Sequence, residues 1–317
     1  EVQFDGIVGG TRTLGAISIT GSLDLNQAIE NATSLSVSTT SNLGADVTTT
    51  STQTYTGAVT LSGGARTLTT TDNNITFSST VDSDSAGTKR NLTLTLGSGS
   101  ATFSGIVGTT SLADITLNSS ATFNAAITAT NLTIAANKTA TVKDDVTIAS
   151  TIALSGSSTL TVLNASTMTI AGTITDTGTG NSITVNDTGV NIAPDEVTFS
   201  GTVAADTLYI GTSTTAGKAK FTGTTGPTIT SITITGGNHA DEDSTATFNY
   251  ALTSTSVTLD DNTGSSYIIF AENNSVTIAG TIDGAANGEG TLQVTGTLKT
   301  FSGAVGNTYR INVLDID

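Results

Sequence analysis

The 317-residue chain has no cysteine and no tryptophan, one histidine and two prolines, and only 4% of its residues are aromatic. Without cysteine there is no disulfide bracing and no thiolate chemistry, so stability must come from hydrogen bonds and packing. The single histidine, His239, lies in the polar stretch GGNHADEDS. One histidine and no cysteine exclude an ordinary structural zinc site. His239 reads as a solvated loop residue rather than the base of a nucleophile–base pair. Few aromatics and 11% charged residues make a composition unlike that of an ordinary enzyme and favour a thin, repetitive core.

Positive charge is scarce as well. Ten basic residues against 26 acidic ones leave a formal net charge of −16, which repels phosphate backbones and anionic lipid surfaces. Nucleic acid is therefore excluded as a partner, and Lys89–Arg90, the one adjacent basic pair, forms no patch to reverse that. No apolar run approaches the roughly 20 residues of a membrane span. The opening EVQFDG lacks the basic and apolar parts of a secretory signal, so the chain reads as a processed or excised segment.

Against these absences stands one recurring word. FDGIVG, YTGAV, ATFSGIVG, FSGTV, FTGTT and FSGAVG share an aromatic residue and a glycine two places on, and all but FTGTT, which has Thr225 there, carry an aliphatic residue four places on. Taking the aromatic or aliphatic residue as position zero, related words begin at Phe4, Leu25, Tyr55, Phe77, Phe103, Phe123, Ile148, Ile170, Phe199, Phe221, Phe248, Ile278 and Phe301. Mostly apolar residues at −2, 0 and +4 share one parity and Thr at −1 takes the other, the period-two pattern of a half-buried strand. A second strand follows most words, as at Leu92, Leu94 and Leu96 or Ile232 and Ile234.

Anchors spaced by about 25 residues match a solenoid repeat. The expected fold is all-β, a parallel β-helix or β-solenoid of about 12–13 coils of about 25 residues. Residues 1–317 are expected to form a single elongated solenoid, a segment of a longer array or filament. The thirteen anchors are expected to stack along one interior line at about 4.8 Å per coil, giving a rod of roughly 60 Å. Gly at +2 suits a bend or close backbone approach. Only Leu23 to Ala32 could make a short helical turn. The rival architecture is a string of antiparallel β-sandwiches built from units of about 50 residues. A left-handed hexapeptide helix lacks its six-residue period.

The phrases TQTYTGAVTLSGGARTLTTTDNNITFSSTV and ATFSGIVGTTSLADITLNSSATFNAAI resemble repeat regions of large bacterial surface adhesins, namely filamentous-haemagglutinin-like exoproteins and autotransporter passengers, and of low-complexity surface-layer proteins. Similar Thr/Gly-rich strand repeats occur in phage fibres. The resemblance covers essentially the whole chain and implies a right-handed β-helix, secreted or at the cell surface, with no catalytic motif.

The acidic surplus is read next as a source of oxygen ligands for Ca²⁺. Asp82 and Asp84 in VDSDSAG, and Asp241, Glu242 and Asp243 in HADEDS, are the candidate calcium residues, although neither stretch completes an EF-hand or a β-roll repeat. Asp144 with Asp145 and Asp260 with Asp261 are the remaining acid pairs that a β-helical carbohydrate-active enzyme would draw on, and each reads more simply as a solvated turn. Threonine rows such as Thr69 to Thr71 invite an ice-binding reading, which unequal coil lengths disfavour. Asn-X-Ser/Thr sequons, including those at Asn31, Asn91, Asn131 and Asn164, occur by composition alone.

The function expected from the sequence is non-enzymatic: an extracellular structural or adhesive element, a rod, filament or surface-layer component. Its expected partners are copies of itself or flanking repeats stacked end to end, and a host or cell-surface glycan. A β-helical carbohydrate-active enzyme or a phage fibre segment is the alternative.

Overall fold

A computed structural model describes residues 1–188, 193–271, 276–297 and 299–317, with the side chain of Val276 left aside. The chain is an all-β solenoid of about 14 turns, each of about 22 residues, in which strands of successive turns pair in parallel. The paired strands of the sandwich alternative would have run antiparallel. The turns are shorter and more numerous than the anchor spacing suggested.

The coils are built as the period-two pattern requires. In Ala101–Phe103 the outer two residues are buried and Thr102 is half-buried between them. Thr at this position suits a pleated, partly solvated face, where its β-branched side chain fits at little cost. Turn length varies: register partners lie 17 residues apart at Leu117 and Ile134 and 29 apart at Ile170 and Phe199.

Two compact units divide the chain, Glu1–Ala153 and Leu154–Asp317. In the first, Ile19, Val37, Tyr55, Phe77, Phe103, Phe123 and Val142 follow one another in register. The four aromatic rings form a stack: Tyr55 and Phe77 have centroids 5.3 Å apart, and Phe77–Phe103 and Phe103–Phe123 are each 4.6 Å apart. The second unit repeats the device with Ile170, Phe199, Phe221, Phe248, Phe270, Val294 and Ile316, its rings 4.8 to 5.7 Å apart from Phe199 to Phe270.

The expected single line of thirteen anchors is therefore corrected. Phe4 and Leu25 stand on another face, in a column with Leu43, Leu61 and Ser83, and Ile278 and Phe301 form a column with Leu252. Phe270, which opens no word, belongs to the aromatic stack instead. The supposed helical turn at Leu23 to Ala32 is also overturned: Leu23–Leu25 is one strand and Ile29–Val37 begins the next. Both are held by parallel ladders, so tertiary pairing wins over the weak local preference.

Tyr55 is the one stacked ring with a polar end. Its hydroxyl donates to Gln53 Oε1 at 3.0 Å, and Gln53 Nε2 donates to the carbonyls of Thr69 at 2.9 Å and Val47 at 3.2 Å. Both side chains are fully buried, so the network meets the requirement that buried polar groups be paired. Burial raises the Tyr55 phenol far above its ordinary value.

Candidate functional site

The chain's acidic side chains sit in the strands and at their ends, within reach of N–H groups of a neighbouring coil that need an acceptor. Six aspartates meet that need in one way. A carboxylate oxygen of Asp46, Asp72, Asp82, Asp243, Asp261 and Asp283 accepts a backbone N–H of the following coil, from Thr67, Ser98, Thr110, Ser265, Gly290 and Thr308 respectively. The distances run from 2.7 to 3.1 Å. Asp206 reaches the other way, to the N–H of Asn181 at 3.2 Å. An ionised acceptor on a backbone donor is among the stronger hydrogen bonds available. At Asp72 the Ser98 N–H holds the carboxyl below its usual range.

Four of the calcium candidates are engaged in this way or by neighbouring contacts. Asp82 sits on the strand Val81–Ser83 and accepts from Thr110. Asp84 is gripped at both oxygens by Arg90, Nε at 2.7 Å and an Nη at 2.9 Å. That guanidinium lowers the Asp84 carboxyl, and Asp84 in turn raises Arg90. A calcium ion at Asp84 would first have to displace the arginine. Between them, the buried Ser83 hydroxyl accepts from the Arg90 N–H and donates to the Ser111 carbonyl.

The HADEDS turn separates its three acids. Asp241 is exposed, Asp243 is half-buried and bonded to Ser265 N–H, and Glu242 is buried at 1% exposure. Glu242 Oε2 accepts the Asn238 N–H at 2.9 Å. The Asn238 amide, oriented with its nitrogen toward the carboxylate, donates a second bond at 2.9 Å. The backbone tightens around the acid through Gly237 N–H to Glu242 O at 2.8 Å and Glu242 N–H to His239 O at 3.0 Å. The His239 side chain is exposed. Among the described residues no three His, Cys, Asp or Glu side chains converge on a common point.

The remaining acid pairs make local contacts. Asp261 Oδ1 holds both the N–H and the hydroxyl of Ser266 at 2.7 Å, and Asp145 N–H donates to Asp144 Oδ1 at 2.8 Å. Thr70 is 4% exposed and turned inward, so the triplet at 69–71 does not lie on one flat face. Two shallow depressions are lined by Thr228, Ile229, Thr230, Thr253, Ser254 and Thr255, and by Thr258 and Asp283 with Tyr309.

Sequence reasoning grouped the acids by proximity along the chain and missed the pairing of each with an N–H one coil later. Spacings near one coil length, such as Asp82 to Thr110, were the available signal. The class defined by fold and corners together is a parallel β-solenoid braced by carboxylates. No protein-family model, curated protein or solved structure matches this chain.

Proposed function

We propose that the protein is a non-catalytic structural and adhesive element of the extracellular space: a rod, filament or surface-layer component, secreted or at the cell surface, that presents its corner loops to a glycan or a neighbouring molecule. The observation that supports this reading is the use made of the acidic residues. They bond one coil to the next, which suits a chain selected for stiffness without disulfides.

Protease shaving and antibody labelling of intact cells test the location, and binding to immobilised polysaccharides tests adhesion. Protection from protease in intact cells would remove the extracellular reading, and release of new reducing ends or unsaturated sugars would replace the structural reading with an enzymatic one. Calcium belongs to this proposal at the 238–243 turn, where Asp241 is exposed. Calorimetric titration with CaCl₂ that shows no saturable heat would take it out.

A further inference from the structure

One strand face of the second unit carries chemistry that neither the ladders nor the carboxylate bonds use. The strands Ala204–Ile210, Thr228–Thr235, Leu252–Asp260 and Val276–Gly284 pair in parallel, each with the next. Their outward residues form two columns in register: Thr207, Ser231, Ser256 and Thr281 make one, and Tyr209, Thr233, Thr258 and Asp283 the other. Successive members lie 24, 25 and 25 residues apart, so the unequal turn lengths seen elsewhere do not break these rows. The one irregularity, between Thr253 and Ser256, falls before the columns begin.

The hydroxyls of this face are free. Among the described residues, those of Ser231, Thr233, Ser256 and Thr258 have no hydrogen-bond partner within the chain, and none is sealed from solvent. Earlier in the same ladder the hydroxyls pair with each other, as Thr159 does with Ser182 at 3.0 Å. Beside Ser231 and Ser256 the surface dips into the shallow depression lined by the exposed Thr228, Thr230, Thr253 and Thr255 and the buried Ile229 and Ser254. Ser254 donates to the carbonyls of Thr230 at 3.3 Å and Ser256 at 3.0 Å, which fixes the shape of the depression.

Tyr209 is the single aromatic residue of the two columns. It is 43% exposed although a coil stands on each side of it, with Thr184 before and Thr233 after. Leu208 and Ile210 point into the core, so the tyrosine is directed outward from the sheet. The charge on the face has one sign. Residues 207–209, 231–235, 256–260 and 281–283 include Asp260 and Asp283 and no basic side chain. Lys218 and Lys220 belong to a different ladder, on the strand Lys218–Phe221. A polyanion is therefore repelled here, and a neutral partner is not.

Free hydroxyls beside one exposed ring match the two-sided chemistry of a sugar, which offers an apolar C–H face to the ring and hydroxyls to the donors and acceptors around it. Successive members of a column lie about 4.8 Å apart, so Tyr209 to Asp283 spans about 14 Å. An extended, equatorially linked pyranose chain advances by close to one such interval per sugar. We infer that this face binds a neutral, extended β-linked polysaccharide laid along the columns, with one sugar stacked on Tyr209 and the next ones hydrogen-bonded by Ser231, Thr233, Ser256 and Thr258. The inference rests on the adhesive reading above and names its ligand class and its site, a strand face rather than the corner loops.

Isothermal titration calorimetry of the 317-residue chain tests it, with cellohexaose and chitohexaose as neutral probes and hexagalacturonate as the charged one. The expected result is saturable binding of a neutral hexamer that Tyr209→Ala weakens at least about tenfold and Tyr209→Phe retains. Thr233→Arg, one coil further on, places a long side chain across the columns and should weaken the same binding without touching the ring. No saturable heat with either neutral hexamer, tighter binding of hexagalacturonate, or neutral binding that both Tyr209→Ala and Thr233→Arg leave unchanged would overturn the inference. The two readings fail separately. Retention on immobilised polysaccharide that persists in Tyr209→Ala removes this site and keeps adhesion, whereas a chain retained on none loses both.

Discussion

Replacing Phe103 measures how much the aromatic stack contributes. Its ring is fully buried, lies 4.6 Å from Phe77 on one side and Phe123 on the other, and is within 8° of parallel to both. Phe103→Ala removes that buried ring from a strand paired on both sides, where collapse around the void would break the ladders, and should cost about 3–5 kcal/mol. Phe103→Leu keeps most of the apolar burial and loses two ring contacts worth about 0.5–1.5 kcal/mol each, so about 1–3 kcal/mol. Thr102→Ser, on the outward parity, should stay within about 0.5 kcal/mol. Urea unfolding followed by circular dichroism gives the ranking. Because solenoids can unfold in parts, hydrogen exchange across residues 97–127 should localise the loss. Equal costs for Phe103→Ala and Thr102→Ser would refute the assignment of inward parity.

Three further outcomes follow from particular contacts. Glu242→Ala should destabilise the 236–244 turn by about 1–3 kcal/mol, because it removes a buried carboxylate that accepts two charge-assisted bonds from Asn238, while Asp241→Ala should be neutral; the same urea assay distinguishes them, and the reverse order would contradict the structural role of Glu242. The Asp84 carboxyl is held below its ordinary value of 3.8 by Arg90. The pair's contribution is therefore complete above that value and is lost as pH falls below it. Asp84→Asn should flatten the acid limb of a stability–pH profile, and an unchanged slope would count against the pair. The Tyr55 phenol should stay protonated while the fold is intact, so Tyr55→Phe should leave the 295 nm absorbance rise between pH 9 and 11 unaltered; a smaller rise would place Tyr55 in solvent.

Strand words were legible because the alternation of Phe, Thr and small residues at 101–103 or 121–123 is a local signal, set by the pleat itself. Column membership was not, because it depends on corner lengths that carry no periodicity. Phe4 and Leu25 write the same word as Phe77 yet stand one face over. Phe270 joins the stack although Asn274 takes the place of the aliphatic residue that marks a word. The acids illustrate the same limit. Asp82 and Asp84 look like a ligand cluster in sequence, but one faces an N–H 28 residues ahead and the other a guanidinium six residues ahead. Only the stacking of coils reveals which.

The central claim is parallel, in-register stacking, and a pair of engineered thiols tests it directly in a chain that has no native cysteine. Thr76, Thr102 and Thr122 are register partners in three successive coils. Neighbours in such a column lie about 4.8 Å apart, within disulfide reach, and next-nearest members about 9.6 Å apart, beyond it. Oxidation of the Thr102→Cys/Thr122→Cys protein should close an intramolecular disulfide, seen as a two-dalton mass loss, while the Thr76→Cys/Thr122→Cys protein should remain reduced. Failure of the first pair to close, or closure of the second in the folded protein, would contradict the solenoid.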